Sequence, residues 1–304
     1  MTNVMVDDKK IILYPNVESD AGLEMTLKVH EALTKLGRTT VVCPAFGESA
    51  HSNIGIAVSD GRVKIAQLED ELPSAEMVIT FGGDGTILRA ARASVDFGIP
   101  ILGFNMGGKG FMAELETGEI ALLEAAAAGK YGIEQRMMLD AEVLRNGKPV
   151  HRDSALNDVV IRGDNKVIDL TLFGDGQRIT RFSGDGAIIA TPTGSTAYSM
   201  AAGGPIVEPP ARNIIITPIC AHILEAKSFV LVSDRNVSVE IGWRKHNPAY
   251  MSVDGSDHFS LRDGDAIYVK ESAKTTRLVR LKERSFYEKV SEKLGALDKT
   301  PAII

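Results

Sequence analysis

The chain has 304 residues, with 34 Lys and Arg against 40 Asp and Glu, a formal charge of −6. That length points to two domains with cores large enough to need no disulfide staples, and the acidic balance without a basic tail excludes a general nucleic-acid binder. The two cysteines, Cys43 and Cys220, make neither a disulfide framework nor a structural zinc site and fit a reducing cytosol, while no apolar run approaches the roughly 18 residues of a membrane helix and the first ten residues are too polar for a secretion signal.

The first third alternates strand-like and helix-like segments. Residues 10–15 read as a buried strand. Met25, Val29, Ala32, Leu33 and Leu36 then recur at spacings of three and four, one face of an amphipathic helix that Gly37 is placed to end. His30 falls on the flank of that helix, where solvation is the plain expectation. Strands are predicted at 39–43, 75–81 and 99–104, and helices at 87–94 and 117–128, the last ending at Gly129. Such alternation implies a parallel sheet covered on both faces.

From about Arg136 the texture changes to short β-branched segments. Strands are predicted at 138–144, 158–162, 168–173, 187–191, 214–218, 229–232, 237–241 and 266–269. Hairpin signals punctuate them at Asn146-Gly147, Asp175-Gly176, Asp254-Gly255 and Asp263-Gly264. This is the pattern of an antiparallel, sandwich-like domain. The end returns to helix: Ser285 and Glu288 fit a capping box, and Phe286, Val290 and Leu294 share a face before Gly295. That helix is expected to return to the first domain. The division is then an α/β domain at 1–134 with a returning segment at 275–304, and a β-rich domain at 135–274.

The 29 glycines only modestly exceed the usual share of about 7%, so their placement carries the information. Phe81-Gly-Gly-Asp-Gly-Thr86 joins a predicted strand to a predicted helix. Glycine N–H groups at a helix start suit phosphate. Asp84 is out of place in a pure anion cradle, and suits a cation, a ribose hydroxyl or a proton from a hydroxyl nucleophile. The plainer reading is a tight turn with Asp84 as a helix cap. A second cluster runs from Phe182-Ser-Gly-Asp-Gly through Thr191-Pro-Thr-Gly-Ser-Thr-Ala-Tyr198. Its hydroxyls suit ribose and base edges, or simply build a Ser/Thr-rich turn.

A third stretch, Gly103 to Phe111, approaches the P-loop pattern, but position 110 is Gly where the metal-binding hydroxyl belongs. Asp96-Phe97-Gly98 lacks the other protein-kinase motifs. No complete Gly-x-Gly-x-x-Gly follows the first strand, which argues against an ordinary dinucleotide dehydrogenase. The six histidines, His30, His51, His151, His222, His246 and His258, show no zinc-ligand spacing. Ser195 lacks a nucleophile elbow. Trp243 and Arg244 read as strand surface. Lys274, Arg277, Arg280, Lys282 and Arg284 form a basic tract, a solvated face or an attractor of anionic substrate.

Together the motifs resemble the NAD kinase family. The landmarks are Gly82-Gly-Asp-Gly-Thr86, Asn157-Asp-Val-Val-Ile161, Gly184-Asp-Gly with Thr191 to Tyr198, and Gly203-Gly-Pro-Ile-Val207 with Thr217-Pro-Ile-Cys220 and Asp254-Gly255. The resemblance implies a Rossmann-like N-terminal domain, a C-terminal β-rich domain and NAD held between them. It implies transfer of the terminal phosphoryl of ATP, or of polyphosphate, to the 2′-hydroxyl of the adenosine ribose. Asp84 would be the base. Gly82, Gly83, Gly85, Thr86 and Phe111 would line the nucleotide, and Asn157 and Asp158 would hold adenosine or ribose groups. Asp185, Thr196, Ala197 and Tyr198 would bind nucleotide groups, and Asp254 would face the nucleotide from this subunit or a neighbouring one. It further implies Mg²⁺ or another divalent cation held largely by phosphate oxygens, a homodimer or homotetramer, a cytoplasmic location, and no nucleic-acid or membrane partner.

Asp158 stands where the family commonly has Glu, Lys109 where it often has Leu, and Ala221 where Pro is frequent. Two alternatives stay open on the sequence. A diacylglycerol-type lipid kinase shares the first glycine motif but not the run at 191–198. A non-catalytic NAD(P)-binding sensor would not need an intact Asp84 loop.

Overall fold

The computed structural model describes residues 9–45, 63–107, 110–222, 227–242, 248–262, 264–283 and 286–294. Lys109, Trp243, Arg244, Asp263, Arg284, Ser285, Gly295, His51 and His246 lie outside the described residues. The described residues fall into two compact units. The first comprises those up to Gln135 and those from Arg277 on, and the second lies within Arg136–Thr276.

In the first unit, strand β1 (Lys10–Pro15) is buried almost throughout and leads into the helix Glu24–Lys35. That helix turns Met25, Val29 and Leu33 onto the core, while Leu36, expected on the same face, lies past the last turn and is exposed. Gly37 takes a left-handed φ of 76°, the backbone that stops the helix. His30 meets the Thr40 hydroxyl and is half-buried. Strands β2 (Thr40–Val42), β3 (Ala75–Gly82) and β4 (Ile101–Asn105) follow. They pair in parallel in the order β2-β1-β3-β4. The chain leaves β1 toward β2 and leaves β3 toward β4. The carboxyl ends of β1 and β3 therefore form a topological switch point, the usual place for a ligand in such sheets. The helix expected at 117–128 is a short turn, Ile120–Leu122, and a helix of one and a half turns, Leu123–Ala127. The two-residue strand β5 (Leu115–Glu116) pairs with β4.

The second unit opens on β6 (Gly132–Arg145), which begins four residues ahead of it. Then come β7 (Lys148–Ala155), β8 (Asp158–Gly163), β9 (Ile168–Gly174), β10 (Gln177–Gly184), β11 (Gly186–Ala190), β12 (Asn213–Ile219), β13 (Phe229–Val232), β14 (Val237–Gly242), β15 (Ala249–Val253), β16 (Phe259–Leu261) and β17 (Asp265–Arg280). One antiparallel sheet runs β13-β12-β11-β8-β15-β16. In a second, β14 lies between β9 and β17, and β10 pairs with β9. Leu139, Val143, Val159, Ile161, Leu170, Leu172, Ile189 and Ile216 belong to one core. The expected hairpins at Asn146-Gly147 and Asp175-Gly176 carry φ of 50° and 75°, and of 49° and 77°, the left-handed pairs that match strand twist.

β17 runs past the four residues expected at 266–269 to sixteen. Its last residues belong to the first unit, where Leu278 pairs with Ile101. The helix Phe286–Leu294 also belongs there, and its Lys289 ammonium donates to the Ala113 carbonyl at 3.4 Å.

Candidate active site

The glycine motif of the first unit sits at the switch point. Gly82 ends β3, Gly83 is the helix N-cap with extended backbone (φ −102°), and Asp84 is the first residue of the helix Asp84–Ser94. The helix expected from Ile87 thus starts three residues earlier, and Gly85 and Thr86 lie in its first turn. Thr86 is buried, and a Cβ at Gly82 would sit 2.2 Å from its hydroxyl oxygen. Gly82 is required by that contact. Nothing lies within 4 Å of a Cβ built at Gly83 or Gly85.

The Asp84 carboxylate is held from across the site. Its Oδ2 accepts the Phe111 N–H at 2.6 Å and its Oδ1 the Met112 N–H at 3.1 Å. Gly110 makes room, because a Cβ there would stand 2.4 Å from Oδ1. An ionised carboxylate offers about four lone-pair directions, so two remain after the backbone donors. The plainer reading of Asp84 as a helix cap does not hold, since Gly83 is the N-cap and the Asp84 carboxylate accepts from Phe111 and Met112 instead.

Three further participants at this end, Asn16, Gly110 and Met112, are not among the site residues that the sequence offers. Asn16, directly after β1, donates its backbone N–H to the Phe81 carbonyl at 2.8 Å, and its Cβ lies 3.3 Å from a Cβ placed at Gly82. Its signal was a polar residue at the carboxyl end of the first buried strand. Gly110 falls in the stretch that approaches the P-loop pattern, and its lack of a side chain is the feature that admits Asp84, while Met112 lies one residue beyond that stretch and carries no signal of its own.

In the second unit Asp254 organises the turn before β8. Its Oδ2 accepts the Leu156 N–H at 2.7 Å, and its Oδ1 accepts the N–H groups of Asn157 at 2.7 Å and Asp158 at 3.0 Å. Asp254 itself has φ 49°, followed by Gly255 at 71°. Asp158 is 5% exposed. Burial, and then the Asp254 charge beside it, push its carboxyl up to about 7.

The hydroxyl run is largely internal. Thr191 donates to the Leu156 carbonyl at 2.6 Å, Ser195 to the Pro192 carbonyl at 2.6 Å, and Ser199 meets Thr217 at 2.8 Å. These hydroxyls build the turn and leave the reading of a ribose-binding hydroxyl array without them. Thr196, Ala197 and Tyr198 are the half-exposed step of the run, and Thr196 donates to the Thr193 carbonyl at 3.1 Å. Tyr198 packs against the cluster formed by Val160, Ile188, Ala190, Ile215 and Ile219.

Asp185 sits at the other end of β11 from Asp158. Ala190 faces Asp158 in the ladder and Gly186 faces Arg162, so the second unit does not gather these two carboxylates at one point. The Asp185 carboxylate is 3.9 Å from the Arg162 guanidinium and 38% exposed. The glycines around it serve the sheet: a Cβ at Gly186 would sit 2.3 Å from the Ile161 carbonyl oxygen, and one at Gly184 would sit 2.8 Å from that of Ile219.

Among the described residues no three His, Cys, Asp or Glu side chains gather as a metal site. Burial pushes the Cys43 thiol up to about 12, so it is no nucleophile at neutral pH.

Two family profiles match in chain order. The ATP-NAD kinase N-terminal domain matches residues 11–131 and the ATP-NAD kinase C-terminal domain matches residues 156–281. An NAD kinase of Natranaerobius thermophilus is 39% identical over 291 residues, covering 94% of this chain and 98% of its own. One of Acetivibrio thermocellus is 36% identical over 288 residues, covering 94% and 96%. In fold, the chain is similar to yeast NADH kinase complexed with NADH, with a TM-score of 0.81 at 24% identity over 97% of this chain and 90% of that one. It is similar as well to an NAD kinase from Archaeoglobus fulgidus in complex with ATP, with a TM-score of 0.71 at 23% identity over 94% and 99%. The chain belongs to the NAD kinase family. The lipid-kinase and sensor alternatives gain no support from these relatives.

Proposed function

We propose a mechanism in which Asp84 is the general base of an NAD kinase. The chain transfers the terminal phosphoryl group of ATP to the 2′-hydroxyl of the adenosine ribose of NAD, giving NADP. The 2′-oxygen attacks the γ-phosphorus, the bond from that phosphorus to the bridging oxygen breaks, and ADP leaves. The hydroxyl proton passes to a free lone pair of Asp84, an assistance typically worth 10²–10⁴ in rate. The observation that carries this reading is the Asp84 carboxylate, fixed by the N–H groups of Phe111 and Met112 at the switch point, with open space over Gly83 and Gly85.

Gly82, Gly83, Gly85, Thr86 and Phe111 form the nucleotide-lining set in this proposal, supported by the N–H groups of a helix start. Asn157, Asp158, Asp185, Thr196, Ala197, Tyr198 and Asp254 are the second unit's set. Asp254 serves it through the turn it holds, and Asp185 at a point further along the extended dinucleotide. The NADH bound in the yeast structure and the ATP bound in the archaeal one support sites for both nucleotides. Mg²⁺ enters with ATP as part of the substrate and offsets phosphate charge. Self-association as a dimer or tetramer is supported by the exposed Val230 and Val232 on edge strand β13. A cytoplasmic location is supported by two free cysteines. No described helix is long and apolar enough to cross a membrane.

The test is a matrix of ATP, other nucleotides and polyphosphate against NAD, NADH and a diacylglycerol. NADP from ATP, Mg²⁺ and NAD is expected, with Asp84→Asn keeping nucleotide binding and losing about 10²-fold or more of kcat. Near-wild-type turnover by Asp84→Asn would remove Asp84 as the base.

A further inference from the structure

The segment that holds Asp84 is itself a connection between β4 and β5, and connections are mobile unless tied. Four ties hold it. The Glu114 N–H donates to the Gly103 carbonyl at 3.0 Å. Asp84 takes the N–H groups of Phe111 and Met112. Lys289 reaches the Ala113 carbonyl. The fourth is Arg280, whose Nη1 donates to the Met112 carbonyl at 3.0 Å.

Arg280 belongs to the basic tract whose function was open in the sequence. It is not a solvated cation: its side chain is 17% exposed, between the carboxylates of Glu114, at 3.3 Å, and Glu134. Glu114 is 2% exposed in its side chain and also accepts the N–H groups of Leu281 at 2.9 Å and Lys282 at 2.8 Å. The two acids fix the guanidinium plane, and the plane fixes Met112. Residue 112 is therefore gripped at both ends, its N–H by Asp84 and its carbonyl by Arg280.

We propose that Arg280, backed by Glu114 and Glu134, is a positioning residue for phosphoryl transfer, holding the backbone donors that aim the Asp84 carboxylate at the ribose hydroxyl. The inference rests on Asp84 as the base. A misplacement of about 1 Å is enough to cost up to 10²-fold in rate without loss of substrate contacts. Arg280 touches no reacting atom, so its effect belongs in kcat and not in KM.

The experiment compares Arg280→Gln, Arg280→Lys and Asp84→Asn in the full-length enzyme, with ATP, Mg²⁺ and NAD. Arg280→Gln is expected to lower kcat about ten-fold or more, with both KM values within two-fold. Arg280→Lys keeps the charge against Glu114 and Glu134 but cannot replace the whole fork. It is expected to fall between Gln and wild type, and it carries the test if Arg280→Gln fails to fold. In the Asp84→Asn background Arg280→Lys should cost nothing further, because the group it positions is gone. An unchanged kcat in Arg280→Lys, a loss confined to KM, or losses that multiply with Asp84→Asn would overturn the proposal. Near-wild-type turnover by Asp84→Asn would instead overturn the base assignment beneath it.

Discussion

A methyl group added at Gly85 would meet no atom within 4 Å, and the residue sits in the first turn of a helix. The fold has no steric reason for glycine there, and helix propensity favours alanine by up to about 1 kcal/mol. On the proposed function the reason is the nucleotide that would approach the loop. Gly85→Ala is therefore expected to keep or raise the melting temperature while lowering kcat/KM about ten-fold or more, read by thermal unfolding and NADP formation on the same preparation. Gly82→Ala should behave in the opposite sense. Its methyl group would collide with the buried Thr86 hydroxyl, an overpacking that costs about 1–3 kcal/mol and lowers the melting temperature itself. Full activity in Gly85→Ala would mean that the open space over the loop is not ligand space. The second Gly-Asp-Gly repeats the tripeptide of the first, yet Gly184 and Gly186 are packed against the carbonyls of neighbouring strands. An identical tripeptide hides that difference, because the contacts come from residues far along the chain.

At the scale of the element, the sequence was most informative where backbone chemistry is local. Asn-Gly and Asp-Gly pairs announced turns that take left-handed φ values at residues 146, 147, 175, 176, 254 and 255. It failed to mark β5, β7, β10, β15 and β16. β5 and β16 are only two and three residues long, and β7 and β10 carry Lys, His, Arg, Gln and Asp with few buried positions, so no alternating apolar face betrays them. The turn ahead of β8 shows the limit most clearly. Asn157-Asp158 was legible as a motif, but its anchor, Asp254, is 97 residues from Asn157 and was expected to face the nucleotide. Packing two carboxylates at one turn has a consequence for stability. Asp158 titrates near 7 in the folded chain against about 3.9 in an unfolded one. Between those values the folded state binds the extra proton, so stability is highest at the acid end of the window and falls as pH rises toward 7. The full effect is on the order of 4 kcal/mol. Urea unfolding of wild type at pH 5 and pH 8 should show the contribution lost at pH 8, and Asp158→Asn should flatten that difference. An equal pH slope in the variant would place the titration elsewhere.

At the scale of the molecule, the first unit is assembled from two stretches of chain separated by the whole of the second. The sequence indicated a returning helix but not the strand that precedes it. Its basic tract resembles a solvated face because its partners are distant: Arg277 donates to the Gly98 carbonyl, and Lys282 pairs with Glu119. The returning stretch also neutralises Glu114, which is buried and takes its Arg280, Leu281 and Lys282 donors entirely from it. A chain stopped after Thr276 would leave that carboxylate buried without those donors, a loss of about 3–5 kcal/mol for a broken buried pair. It would also lose the Leu278–Ile101 pairing beside β4. Together these approach the whole stability of an ordinary domain. The second unit keeps its β9-β14-β17 ladder, whose pairs end at Val269, well inside the truncated chain. Limited proteolysis of such a chain, followed by mass spectrometry, should therefore cut readily within residues 9–135 and leave a resistant fragment inside 136–276. Equal protection of both stretches would show that the first unit folds without its returning strand and that Glu114 finds other donors.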